Sequence, residues 1–194
     1  WTNEQRSELL RSSRDSMPIG SLLVWRTATM KLATFPTVGP HQLPPIAENA
    51  PSTGWQYLLD GHQRVSTLLG MLLAPSTQSI ASPPSPNDDG IDWDIQYELE
   101  TQDFVFATRA KNAGRPLLPL RTLLDGRLVS RHMRELRKKA AARSWSNQDL
   151  DSWEERADQL SYRFQMCRIP IVVMVTDDLS LAAQAFQRVN SMGT

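Results

Sequence analysis

The sequence predicts an α+β fold: a small mixed sheet, covering helices, and a hairpin-and-helix insertion. Three observations carry that expectation. Residues 21–26 (SLLVWR) and 167–176 (CRIPIVVMVT) are apolar runs of strand length, and the second is so continuously apolar that it reads as the centre of its sheet. A third run, Trp55, Tyr57, Leu58 and Leu59, stops at the turn dipeptide Asp60-Gly61. Directly beyond it Val65, Leu68, Leu69, Leu72 and Leu73 keep the i, i+3, i+4 spacing of a helix buried on one side. With 40% apolar and 22% charged residues in 194, the balance is that of a globular chain. The length suits a single domain with a real core, spanning 1–194 and elaborated by an insertion at about 93–165.

Taken in order, Thr2 or Asn3 can cap a first helix, with Gln5 at capping-box distance from Thr2. That helix runs to about Ser16, where Met17-Pro18-Ile19-Gly20 breaks it. Five prolines in residues 31–53 predict a loop between the first strand and the strand at 55–59. The helix at about 63–73 follows. Residues 74–90 are rich in Pro and Ser and read as a surface excursion. Asp88, Asp89, Asp92 and Asp94 faintly resemble a calcium loop, but without its residue order or closing glutamate they read as a solvated turn. Trp93, Ile95, Tyr97 and Leu99 alternate with polar residues, a half-buried strand that 104–107 can pair with as a hairpin. A short helix near 120–124, a basic helix over 126–143 and an amphipathic helix over 146–165 precede the apolar strand. Asp177-Asp178 then turns the chain and can cap a last helix over 179–189.

Lysine plus arginine equals aspartate plus glutamate at 21 each, so any nucleic-acid surface must be a local patch. The single cysteine, Cys167, excludes an internal disulfide framework and suits a reducing cytoplasm. No apolar run approaches the roughly 20 residues of a membrane helix, and no signal peptide is visible. Opening on Trp1 and closing at Thr194, the chain reads as a piece of something longer.

Chemistry concentrates at the start of the second helix. A strand, a glycine turn and a helix N-terminus in that order leave backbone N–H groups pointing outward, with roughly half a positive charge that favours phosphate. Asp60, His62, Gln63 and Arg64 stand there, and the Arg64 guanidinium is a planar fork suited to phosphate oxygens. The plainer alternative is a capped helix with a solvated rim. In the basic stretch Arg127, Arg131, Arg134 and Lys138 fall at helical spacing. They read either as a nucleic-acid surface or as a solvated face paired with the acidic residues of 149–158.

Asp60-Gly61-His62-Gln63-Arg64 followed by Val65-Ser66-Thr67-Leu68 resembles the Asp-Gly-Gln-Gln-Arg-Leu-Thr-Thr-Leu signature of GmrSD-type N-terminal domains, in the ParB/sulfiredoxin-like nuclease superfamily. Pro18-Ile19-Gly20-Ser21-Leu22-Leu23-Val24-Trp25 resembles the strand after that family's first helix. Phe186-Gln187-Arg188-Val189-Asn190-Ser191-Met192-Gly193-Thr194 resembles its closing Phe-x-Arg-x-Asn-x-x-Gly-Thr element. Members occur in modification-dependent restriction and phage-defence systems. The resemblance implies that the signature region binds, and in several members hydrolyses, a nucleoside triphosphate, while a downstream nuclease domain or subunit cuts DNA. Two departures stand out. His62 replaces the usual first glutamine, and of an upstream Phe-Gln-Arg-x-Tyr-x-Trp element only Trp1 is present. If the missing arginine holds phosphate, the chain is expected to be weak or inactive.

Carried over by position, the resemblance implies a phosphate cradle of Gly61, His62, Gln63 and Arg64, with Asp60, Gln63 and Arg64 in catalytic roles and Asp60 orienting Mg²⁺ or water. Ser66 and Thr67 would reach phosphate or cap the turn, although Thr67 can equally point into the core. Arg188, Asn190 and Thr194 would converge from the far side, or else tie the last helix to the sheet. There is no G-x-x-x-x-G-K-[ST] pattern, so a nucleotide site here is not of the P-loop kind. Direct DNA cleavage by this domain and a non-catalytic DNA-binding or assembly module are the alternatives, and self-association stays open. The account rests on the corner before the second helix being an electropositive socket. Arg64 folded into a buried ion pair, with the corner plugged by side chains, would contradict it.

Overall fold

The computed structural model describes residues 1–45, 48–49, 51–73, 93–106 and 114–191. The excursion at 74–90, Asp92 and Thr194 lie outside them. The architecture is α+β, as expected. A three-stranded sheet has the order β4-β1-β8, with β1 (Leu22–Thr27) at its centre, β4 (Trp55–Asp60) antiparallel and β8 (Ile171–Val175) parallel to it. These are the three strands read from the sequence.

The position of β8 corrects the reading. Its apolar run does not make it central: among the described residues it pairs only with β1. Ile171, Val172 and Val175 are more than half exposed. A continuous apolar run is consistent with a strand, but it cannot tell an open edge from a buried centre.

One face of this sheet is closed by α5 (Leu179–Ser191). There Trp25, Trp55, Tyr57 and Ala182 form a small core with Met30, Leu32, Leu59 and Met174 packed against it. The indole of Trp25 donates to the Thr176 carbonyl (2.7 Å), which fixes the turn into α5. The Asp177 carboxylate accepts from the Thr27 hydroxyl (2.6 Å) and the Ala28 amide (2.8 Å). These bonds, the Thr27 one first, hold the Asp177 pKa below the usual carboxylate range. The end of β1 and the end of β8 are thereby pinned together.

The larger core lies around a second sheet. A sheet of order β6-β5-β7 joins β5 (Ile95–Glu98), β6 (Asp103–Phe106) and β7 (Leu117–Pro119). The expected hairpin is present, with Ile95 opposite Phe106. Strand β7, three residues ending in proline, was not anticipated. Helices α1 (Asn3–Arg14), α3 (Gly126–Arg143) and α4 (Asn147–Met166) bury Leu10, Val129, Met133, Leu136, Leu150, Trp153 and Leu160 against it. Both α1 and α4 carry full capping boxes, Thr2 with Gln5 and Ser146 with Asp149. Helix α2 (His62–Leu72) sends Met71, Leu68 and Leu72 into this same core. It therefore bridges the small sheet, where it begins, and the larger core, where it ends.

The proline-rich loop is more structured than expected. Residues Thr37–Val38 (β2) and His41–Gln42 (β3) form a minimal hairpin that packs on α2. At Gly39, φ is +55°, and an added Cβ would come within 2.8 Å of the Ser66 carbonyl, so only glycine allows this approach. His41 Nε2 lies 3.0 Å from the Leu69 carbonyl. No helix among the described residues is long and apolar enough to cross a membrane.

Candidate functional site

The corner between β4 and α2 is built by Gly61, whose φ of +97° turns the strand into the helix without residues to spare. Among the described residues no side chain caps α2, and no acidic residue lies in its first turn. Its amides therefore face outward with their partial positive charge unmet by a side chain. His62 and Gln63, the first two helical residues, are exposed.

Arg64 is committed elsewhere. Its Nη2 donates to Asp60 Oδ2 at 3.1 Å, and its Nη1 donates to the Ser21 carbonyl. The guanidinium lies against Gly20, where φ is +84° and an added Cβ would stand 3.3 Å from Cζ. The Leu22 side chain fills the other side of the corner, 2.3 Å from where a Cβ on Gly61 would be. This corrects the expectation of an open socket. Asp60 stands one turn before Arg64, the i, i+4 spacing at which opposite charges meet. The side chains of Arg64 and Asp60 keep 22% and 23% exposure, so the pair is half-buried and solvent still reaches it.

Ser66 and Thr67 turn inward. Ser66 is buried, its hydroxyl 3.5 Å from His62 Nε2. Thr67 is 1% exposed, and its buried Oγ1 has no hydrogen-bond partner among the described residues, which suits a core position. Arg188 is exposed on α5. Among the described residues no hydrogen bond or ion pair joins it to the group at 60–64. Thr194 and the side chain of Asn190 fall outside what is described.

A residue that the sequence reading passed over also stands here. Phe35 is 75% exposed, with its ring 5.8 Å from the His62 imidazole. It lay inside a stretch read only as loop, and the one available signal was an aromatic directly before a proline.

On α3, all four basic residues singled out are exposed. Arg127 pairs with the helix-capping Asp125 and Lys138 with Glu135. Arg137 bridges Asp151 and Glu154 of α4, so part of the basic face is neutralised by the acidic helix. Arg131 and Arg134 have no ion-pair partner among the described residues. Asp94 pairs with Arg121 (3.0 Å), which suits the solvated turn and not a calcium ligand. No group of three or more His, Cys, Asp or Glu side chains that would hold a metal occurs among the described residues.

None of the curated proteins matches this chain. A family model described as the N-terminal domain of the GmrSD restriction endonuclease matches residues 1–194, its whole length. Matched over its whole length, the chain belongs to the family of GmrSD restriction endonuclease N-terminal domains.

Proposed function

We propose that this chain is a nucleotide-binding regulatory domain of a DNA restriction and phage-defence system, taking the phosphates of a nucleoside triphosphate at the N-terminus of α2. Family membership supports the restriction setting. The single observation that carries the nucleotide reading is the α2 terminus itself: uncapped, opened by a left-handed Gly61, and flanked by exposed His62 and Gln63. Phosphate oxygens would bind the turn amides. A half-buried Arg64 beside them would add charge by exchanging its bond to Asp60 for one to phosphate.

Mg²⁺ fits this scheme in one way only. Asp60 is a lone carboxylate already paired with Arg64, so the ion would be held mainly by the triphosphate, with Asp60 as its protein contact. When bound, Mg²⁺ would neutralise phosphate charge. The chain's own part in hydrolysis would be positioning, with Gln63 and His62 placed to orient a water. Cutting of DNA belongs, in this reading, to a downstream nuclease domain or subunit. Exposed Arg131 and Arg134 supply the local charge for a DNA contact.

Thermal unfolding with and without Mg²⁺ and a nucleoside triphosphate tests the proposal. Binding to the native state alone raises stability by about 2.7 kcal/mol at a ligand concentration 100 times Kd. No rise with any triphosphate would remove the nucleotide reading.

A further inference from the structure

Beside the α2 terminus the loop after β1 encloses a cleft of about 680 Å³, lined chiefly by Leu32, Phe35, Pro36, Leu43 and Pro44. The cleft is open to solvent and mostly apolar in its lining. Phe35 forms the edge of the cleft nearest α2, in ring contact with His62, the first residue of the helix. An aromatic ring left 75% exposed gains little for the fold, yet the loop holds it in a fixed place. The Tyr57 hydroxyl donates to the Met30 carbonyl (3.0 Å) and accepts from the Leu32 amide (2.7 Å). The Leu43 amide donates to the Pro36 carbonyl (2.8 Å), closing the hairpin that begins directly after Phe35. This β2–β3 hairpin is seated on α2 through Gly39 and His41. A ring so anchored, one side chain away from a phosphate-favouring helix end, is arranged for a ligand that is flat at one end and anionic at the other.

We infer that this cleft is the base pocket of the nucleotide site, with Phe35 as the platform on which the nucleobase stacks and the ribose spanning the gap to His62. The inference rests on the reading of α2 as the phosphate site and adds the other half of the ligand. Among the described residues the charged side chain at the cleft is Lys31, held at 3.5 Å from the Glu48 carbonyl and over the Trp55 ring. The mostly apolar lining suits the face of a base.

Calorimetric titration of the 194-residue chain with a nucleoside triphosphate and, separately, with inorganic tripolyphosphate tests it, both with Mg²⁺. The expected result is tighter binding of the nucleotide. Phe35→Ala should weaken nucleotide binding roughly tenfold, the loss of one stacking contact, and leave tripolyphosphate binding unchanged. Phe35→Trp should retain affinity, and its fluorescence should be quenched by nucleotide. Unchanged nucleotide affinity in Phe35→Ala, or equal weakening of both ligands, overturns the base pocket and leaves the phosphate reading standing. A Phe35→Ala variant that loses single-stranded DNA binding but keeps nucleotide binding overturns it too, by assigning the ring another ligand. Failure of the unsubstituted chain to bind either ligand removes the phosphate reading and the pocket together.

Discussion

Two glycines in left-handed conformations, Gly20 and Gly61, lie close to a single guanidinium, that of Arg64. Gly61→Ala should cost about 1–2 kcal/mol from backbone strain alone, and more if Leu22 cannot move aside, measurable as a shift in the urea midpoint. Arg64→Ala should cost about 1 kcal/mol, because its ion pair with Asp60 is half-buried and not enclosed. The same variant should abolish nucleotide binding, a loss out of proportion to its effect on stability. Glu98 is the enclosed case. Its carboxylate is 3% exposed, accepts from Arg115 Nε and Nη2, and accepts the Thr101 hydroxyl at 2.6 Å. Glu98→Gln should destabilise by about 1–3 kcal/mol, since the amide cannot match a charge-assisted pair in a buried place. At this scale the sequence showed the Asp60–Arg64 group but not its state. The four-residue spacing that pairs the two was visible, and reading both as ligand-facing overlooked it. Thr67 was open to either reading because a threonine fits a core position by size and a phosphate by chemistry.

Among the elements, α2 carries the most constraint. Gly70, in its interior, would ordinarily gain up to about 1 kcal/mol from replacement by alanine. Here a Cβ would fall 2.3 Å from Trp93 Cε3 and 2.8 Å from Pro40 Cδ, both parts of rigid rings. Overpacking costs roughly 1–3 kcal/mol, so the clash wins and Gly70→Ala should lower the melting temperature. Strand β8 is the opposite. Val175→Lys on its exposed edge should stay within about 0.5 kcal/mol of the parent. Helices with strong periodicity or capping boxes were legible nearly to the residue, α3 and α4 above all. The β2–β3 hairpin and β7 were not. Strands of two or three residues carry no period, and their prolines read as breaks. They exist because α2 and β5 offer them partners, which no local pattern records.

In the molecule as a whole there are two cores of unequal size, α2 follows directly on a strand of the smaller and packs into the larger, and several ionic contacts tie the elements around the larger one. The fork of Arg11 on Asp103 (2.9 Å at both nitrogens) fastens α1 to β6. Hydrogen bonding to arginine is the leading cause that holds the Asp103 and Glu98 carboxyls below their ordinary range. Such groups stabilise the fold above their unfolded-state values, and that contribution is lost as pH falls through the depressed native ones. His132 acts in the same direction: burial lowers its pKa despite the Leu117 carbonyl 2.7 Å away, so protonation favours the unfolded chain as pH falls below about 6.5. Denaturant midpoints should therefore decline on acidification, first through the histidine range and then more steeply below about pH 4.5. The α+β class and the three strands of the small sheet were legible because each strand is an apolar run with clear stops. Which of them is central was not, since that depends on what covers the edges.

The central claim, that the first turn of α2 receives a triphosphate, is tested most directly by following backbone amide resonances of the chain while titrating a nucleoside triphosphate with Mg²⁺. The account predicts that the amides of Gly61, His62, Gln63 and Arg64 shift most, and that the Arg64 side-chain resonance moves as its bond to Asp60 is exchanged. Shifts confined to Arg131 and Arg134 on α3, or none at saturating nucleotide, would contradict it.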